Sequence, residues 1–125
     1  MHPNAILVVD DEPAILEMIA ELLSYEGFEV VTTSQGSVAL TRAKADPPAL
    51  ILLDLMMPEM SGWQVIDALK ASPQTRAIPI VVLSARRDLP VTAKELGIAV
   101  FLTKPFDLDE LISIAHQYAD SRPGF

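Results

Sequence analysis

Short apolar runs alternate with stretches of helical periodicity five times along the chain. The runs are Ala5 to Val9, Phe28 to Thr32, Ala49 to Leu53, Ile80 to Leu83 and Ala99 to Leu102. Several are apolar at consecutive positions, so strands built from them need cover on both faces. This alternation predicts an α/β fold: an open parallel sheet of five strands, with right-handed crossovers laying helices on both sides.

The intervening segments carry helix signals. Pro13 suits a first turn, Ile15, Met18, Ile19 and Leu22 form one stripe, and Gly27 supplies a stop. A second helix is predicted over roughly Ser37 to Ala45, ended by Asp46-Pro47-Pro48, and a third over Gly62 to Ala71, ended by Ser72-Pro73. The last starts at Asp107, with Glu110 placed as in a capping box and Leu108, Leu111, Ile112 and Ala115 as its stripe. Between Ser84 and Gly97 there is little room and Pro90 intervenes, so a fourth helix there is expected to be short or irregular.

The 125 residues read as a single domain, with a core of about 5–119 and a short polar tail over 120–125. Half the residues are hydrophobic, enough for one core without staples, and the absence of cysteine excludes disulfides and thiolate metal sites. No apolar run approaches the roughly 18 residues of a membrane span. The start has no basic region of a signal peptide, and the expected location is the cytoplasm. A net charge of −8, from 17 acids against 9 bases, opposes direct binding to nucleic acid or an anionic membrane and suits a cation or a basic partner.

In open parallel sheets, ligands bind outside the carboxyl ends of the strands. Four of the five runs end on polar residues: Asp10-Asp11-Glu12 after the first, Asp54 after the third, Ser84 after the fourth, and Lys104-Pro105 after the fifth. Taken singly, each has a plain structural reading: strand-end aspartates and serines cap helices, and loop lysines are solvated. Taken together, they describe a site. Crowded carboxylates raise each other's pKa and need a compensating cation. Mg²⁺ suits them, because it takes oxygen ligands from one or two carboxylates plus a phosphate. The two histidines, His2 and His116, lie near the termini, which argues against zinc. Lys104 can pair with Asp54 at rest and with a phosphate oxygen later, while Ser84 offers a hydroxyl donor. Such a set stabilises in-line phosphoryl transfer, and an aspartate nucleophile yields an aspartyl phosphate. Asp54, following Ile51-Leu52-Leu53, is the best nucleophile candidate.

These residues, with the segment Leu53-Asp54-Leu55-Met56-Met57-Pro58-Glu59-Met60-Ser61-Gly62, resemble the receiver domains of two-component response regulators, over nearly the whole length from Ile6 to Tyr118. The resemblance implies the flavodoxin-like strand order 2-1-3-4-5. It implies Asp54 as phosphoacceptor from a phosphohistidine donor, and Asp11, Asp54 and the Met56 backbone carbonyl as Mg²⁺ ligands, with Asp10 acting through a bound water. It gives Ser84 and Lys104 to the phosphoryl group, makes Lys104–Pro105 cis, and places Phe101 at the aromatic switch position that works with Ser84. It further implies that the domain catalyses only its own phosphorylation and dephosphorylation. The implied partners are a histidine kinase or histidine phosphotransfer protein and a downstream protein or output domain, and the domain is a monomer or a phosphorylation-dependent dimer. Read without the family, Phe101 is equally a core or edge aromatic. Trp63 is a half-buried surface aromatic, and Met56, Met57 and Met60 pack a loop or offer an adaptable docking surface. The stretch from Ser84 to Lys104 is somewhat shorter than the family's, and Arg86 and Arg87 add positive charge beside the pocket. Two rival readings stand beside this one: a Mg²⁺-dependent phosphatase, against which Met56 counts because such enzymes carry an acid there, and a pseudo-receiver that no longer takes phosphate.

Overall fold

Every second residue of a strand faces the same way, so a strand apolar at consecutive positions is stable only between two layers. The chain meets that condition. The computed structural model describes residues 2–84 and 98–119, and in it the runs become β1 (His2–Val9), β2 (Glu29–Thr33), β3 (Pro48–Asp54), β4 (Ile80–Ser84) and β5 (Val100–Thr103). They form one parallel sheet in the order β2-β1-β3-β4-β5, as the resemblance implied. The described helices are α1 (Pro13–Tyr25), α2 (Gly36–Ala45), α3 (Gly62–Ala71) and α4 (Leu108–Tyr118).

The alternation of faces divides the interior into two cores. Ile6, Val8, Leu50, Leu52, Val81, Leu83 and Leu102 point to one side and pack with α1 and α4 through Ile19, Leu23, Leu111, Ile114 and Ala115. Leu7, Val9, Ile51, Leu53, Ile80 and Val82 point to the other and pack with α2 and α3 through Ala39, Ala43, Val65, Ile66 and Leu69. Each fully buried Leu or Ile contributes about 1.5–3 kcal/mol. The central strands β3 and β4 are buried along almost their whole length, which holds their carboxyl ends in place.

Two helical stripes sit differently from the sequence reading. On α1 the fully buried residues are Ile19 and Leu23, with Ile15, Met18 and Leu22 only flanking them. On α4 Leu108 is exposed and Ile114 is buried, so the inward stripe is Leu111, Ile114, Ala115 and Tyr118. Both sets satisfy the same i, i+3, i+4, i+7 spacing, and docking on the sheet decides which one turns inward. Strand and helix ends fall within a residue or so of expectation, except that β1 begins earlier, at His2, with a register shift between His2 and Ile6.

The caps are explicit. Gly27 has φ 99°, and the N–H groups of Gly27 and Phe28 donate to the carbonyls of Ser24 and Leu23. This is a Schellman stop, closed by packing Phe28 and Leu23 into the same core. Asp107 caps α4 by accepting from the Asp109 and Glu110 N–H groups. The reciprocal capping box is at α3, where Ser61 and Gln64 exchange side-chain and backbone hydrogen bonds. The fourth helix expected between Ser84 and Gly97, with Pro90, Arg86 and Arg87, lies outside the described residues, as does the tail from 120. No helix among the described residues is long and apolar enough to cross a membrane.

Candidate functional site

Parallel register brings the strand ends level. Val9 pairs with Leu53, and Asp54 with Leu83, which pairs with Leu102. The residues just beyond, Asp10, Ser84 and Lys104, therefore gather around Asp54 at one edge of the sheet. The Ser84 carbonyl accepts from the Lys104 N–H at 2.6 Å, which ties the ends of β4 and β5 together. The Lys104–Pro105 peptide is cis.

Asp10, Asp54 and Ser84 are all buried. Both carboxylate oxygens of Asp10 are engaged: Oδ1 accepts from the Glu12 N–H at 2.9 Å, and Oδ2 accepts from Lys104 Nζ at 2.7 Å. Lys104 Nζ also stands 3.2 Å from Glu12 Oε1 and 3.7 Å from Asp54 Oδ2. The resting partner of Lys104 is thus Asp10 first and Glu12 second, with Asp54 within ion-pair range but beyond hydrogen-bond length. The Lys104–Asp54 pair expected from the sequence is present as the longest of the three, and Glu12 joins it without a sequence signal.

Burial raises the Asp54 carboxyl to about 6. The Met56 N–H, which donates to Oδ1 at 3.1 Å, and Lys104 work against the rise, while Asp10 and Asp11 add to it. For Lys104, burial disfavours the charge, but Asp10, Asp54 and Glu12 outweigh it and hold the ammonium above the ordinary lysine range. A carboxylate that is costly to ionise, beside other acids, is the electrostatic signature of a site built for a further cation or for chemistry.

The donor set fits a hard divalent cation. Carboxylate oxygens of Asp10, Asp11 and Glu12 lie within 4.8 Å of one another, and all are oxygen ligands of the kind Mg²⁺ takes. His116 is elsewhere, tilted against Phe28 at 4.9 Å and 3.2 Å from Glu26 Oε1, so it plays no part in the pocket.

The loop after Asp54 is tightly held. The Gly62 N–H donates to the Leu55 carbonyl at 2.9 Å, and a Cβ on Gly62 would lie 2.4 Å from the Asp54 carbonyl oxygen. Only glycine lets α3 begin this close to the phosphoacceptor candidate. Within the loop, Glu59 has φ 68°, and the Met60 N–H closes a three-residue turn onto the Pro58 carbonyl at 2.8 Å. Positive φ at a non-glycine residue costs about 1–3 kcal/mol, strain of the kind that collects at functional sites. The Met60 side chain packs close to Gly36 at the start of α2, Met57 and Trp63 lie partly buried against the adjoining core, and Met56 is exposed. Phe101, opposite Val82, is likewise partly buried against that core.

The sequence matches the response regulator receiver domain family over residues 6–116. The transcriptional regulatory protein KdpE of Mycobacterium tuberculosis is 40% identical over 110 residues, which make up 86% of this chain and 47% of that protein. The response regulator PleD of Caulobacter vibrioides is 44% identical over 104 residues, 82% of this chain and 23% of that protein. The chain therefore spans about half, or less, of the length of these relatives. Among solved structures, the chemotaxis protein CheY4 of Vibrio cholerae superposes with a TM-score of 0.82 at 29% identity, covering 91% of this chain and 97% of that one. The receiver domain of the sensor histidine kinase PA1611 of Pseudomonas aeruginosa, described with a magnesium ion coordinated in its active-site cleft, superposes at 0.83 with 26% identity, covering 92% and 96%. With that match over most of its length, its sheet order and its strand-end acids, the chain belongs to the response regulator receiver domain family.

Proposed function

We propose that this domain is a phosphorylation-activated switch that accepts a phosphoryl group from a phosphohistidine donor onto Asp54. The observation that carries the reading is the convergence on Asp54: a carboxylate at the end of the central strand whose pKa is raised by burial first and by Asp10 and Asp11 after it, with Lys104 Nζ 3.7 Å away.

With its pKa near 6, Asp54 is mostly ionised at neutral pH, so the nucleophile is present. One carboxylate oxygen attacks phosphorus in line, the donor's P–N bond breaks, and the imidazole leaves with the electron pair. Lys104 neutralises a phosphoryl oxygen and Ser84 donates to it from the end of β4. Asp11, Asp54 and the Met56 carbonyl, with Asp10 behind, would hold Mg²⁺, which when bound would supply charge neutralisation for the transfer. The cleft of the Pseudomonas aeruginosa neighbour, described with magnesium, supports that assignment. The buried placement of Ser84 and the half-buried ring of Phe101 suit a switch in which Ser84 moves toward the phosphate and Phe101 turns further in, favouring a pre-existing active state.

On this reading the domain catalyses only its own phosphorylation and dephosphorylation, and it works in the cytoplasm with a histidine kinase or phosphotransfer protein. It signals to a downstream protein or output domain, alone or as a phosphorylation-dependent dimer. The net charge of −8 supports a domain that does not itself bind nucleic acid. The test is intact-mass spectrometry after incubation with Mg²⁺ and acetyl phosphate, for wild type and Asp54→Asn. One phosphate that requires Mg²⁺ and disappears in the variant is expected. A folded wild type that takes none, beside a control receiver that does, identifies a pseudo-receiver instead.

A further inference from the structure

Glu12 is the N-cap residue of α1, yet its side chain makes no capping hydrogen bond. Ser, Thr, Asp and Asn are the side chains that cap from this position, and the longer glutamate is not among them. The carboxylate reaches instead across 92 residues of sequence to Lys104 Nζ at 3.2 Å. Lys104 is thereby held by two acids at the start of α1, Asp10 at 2.7 Å and Glu12 at 3.2 Å, and stands off Asp54 at 3.7 Å. Of the two, Asp10 is fully buried and has both oxygens engaged, whereas the Glu12 side chain is 59% exposed and water can replace its contact. A lysine that moves toward Asp54 therefore gives up Glu12.

We propose that Glu12 is a positioning residue that holds Lys104 away from Asp54 at rest, so that capture of a phosphoryl group competes with the Glu12–Lys104 pair. The proposal rests on Asp54 being the phosphoacceptor. Glu12→Gln keeps the shape and removes the charge. At fixed acetyl phosphate and saturating Mg²⁺, the ratio of phosphorylated to free protein is expected to rise roughly two- to fivefold, the size of a partly exposed ion pair. The gain disappears in a Lys104→Gln background, because the pair is then already absent.

A gain of equal size in both backgrounds, or none in either, overturns the proposal, since Glu12 then acts through its charge alone or not at all. Loss of Mg²⁺ affinity without coupling to Lys104 overturns it too and assigns Glu12 to the cation. If Lys104→Gln takes up too little phosphate to measure, the Lys104 Nζ resonance of the unphosphorylated protein decides. It shifts in Glu12→Gln if the pair holds the ammonium, and an unmoved signal overturns the proposal. A merely structural role of Glu12 at the head of α1 would leave that resonance unmoved. Wild type that takes no phosphate overturns the phosphoacceptor reading itself, and is distinguished from these outcomes by the mass spectrum.

Discussion

Asp54→Asn should stabilise the metal-free protein at neutral pH. The carboxyl is lifted from the ordinary 3.8 to about 6, chiefly by burial, so the folded chain holds this proton more tightly than the unfolded chain does. The associated stability is fully present below pH 3.8 and is lost as the pH rises to about 6. Above that, the folded state carries an ionised Asp54 at a cost of about 3 kcal/mol, at about 1.36 kcal/mol per pKa unit. The asparagine never ionises, and its amide oxygen can still accept from the Met56 N–H. Urea unfolding of both proteins in EDTA, across pH 4 to 8, reads the difference directly. The two should agree near the acid end, separate through the window between 3.8 and 6, and reach a plateau with the variant ahead by about 3 kcal/mol. Comparing the pair cancels the contribution of acids that lie away from the pocket. A difference that stays flat with pH, or a wild type ahead at neutral pH, would refute the reasoning, because the attraction to Lys104 would then outweigh burial.

Mg²⁺ should close most of that gap. At a hundredfold excess over its dissociation constant it should stabilise wild type by about 2.7 kcal/mol and Asp54→Asn by much less, and a thermal melt with and without the ion measures both. Gly62→Ala places a Cβ 2.4 Å from the Asp54 carbonyl oxygen and 2.6 Å from Leu55 Cα, both backbone atoms that cannot swing away. It should cost about 1–3 kcal/mol in urea unfolding and slow uptake of phosphate from acetyl phosphate, since the loop carrying Asp54 must shift. Ser61→Ala removes the capping box of α3 and should cost about 0.5–2 kcal/mol while leaving phosphate uptake near wild type. If uptake falls as far as in Gly62→Ala, the cap positions Asp54 as well as the helix.

Much of the architecture is local and was therefore legible in the residues. The apolar runs, the stop at Gly27 and the cap at Asp107 each rest on interactions within a few positions, which a pattern can carry. The family's strand order completed the topology, and that topology put Asp10, Asp54, Ser84 and Lys104 at one edge of the sheet. Which stripe of α4 turned inward was not legible. Leu108 and Leu111 are equally apolar, and only docking on the sheet chose Ile114 over Leu108. The capping box at Ser61 and Gln64 has a legible three-residue spacing, whereas the positive φ of Glu59 has no compositional sign.

A parallel sheet with acids, a hydroxyl and a lysine at its strand ends is already written in the residues, because alternation and periodicity are local properties. Tertiary contacts choose the order in which Lys104 engages its acids, Asp10 first, then Glu12, then Asp54. That choice is a competition among three carboxylates at 2.7, 3.2 and 3.7 Å, on residues brought together by strands far apart in the chain. Differences of half an ångström in a partly buried pocket settle such a contest, and no residue pattern carries them.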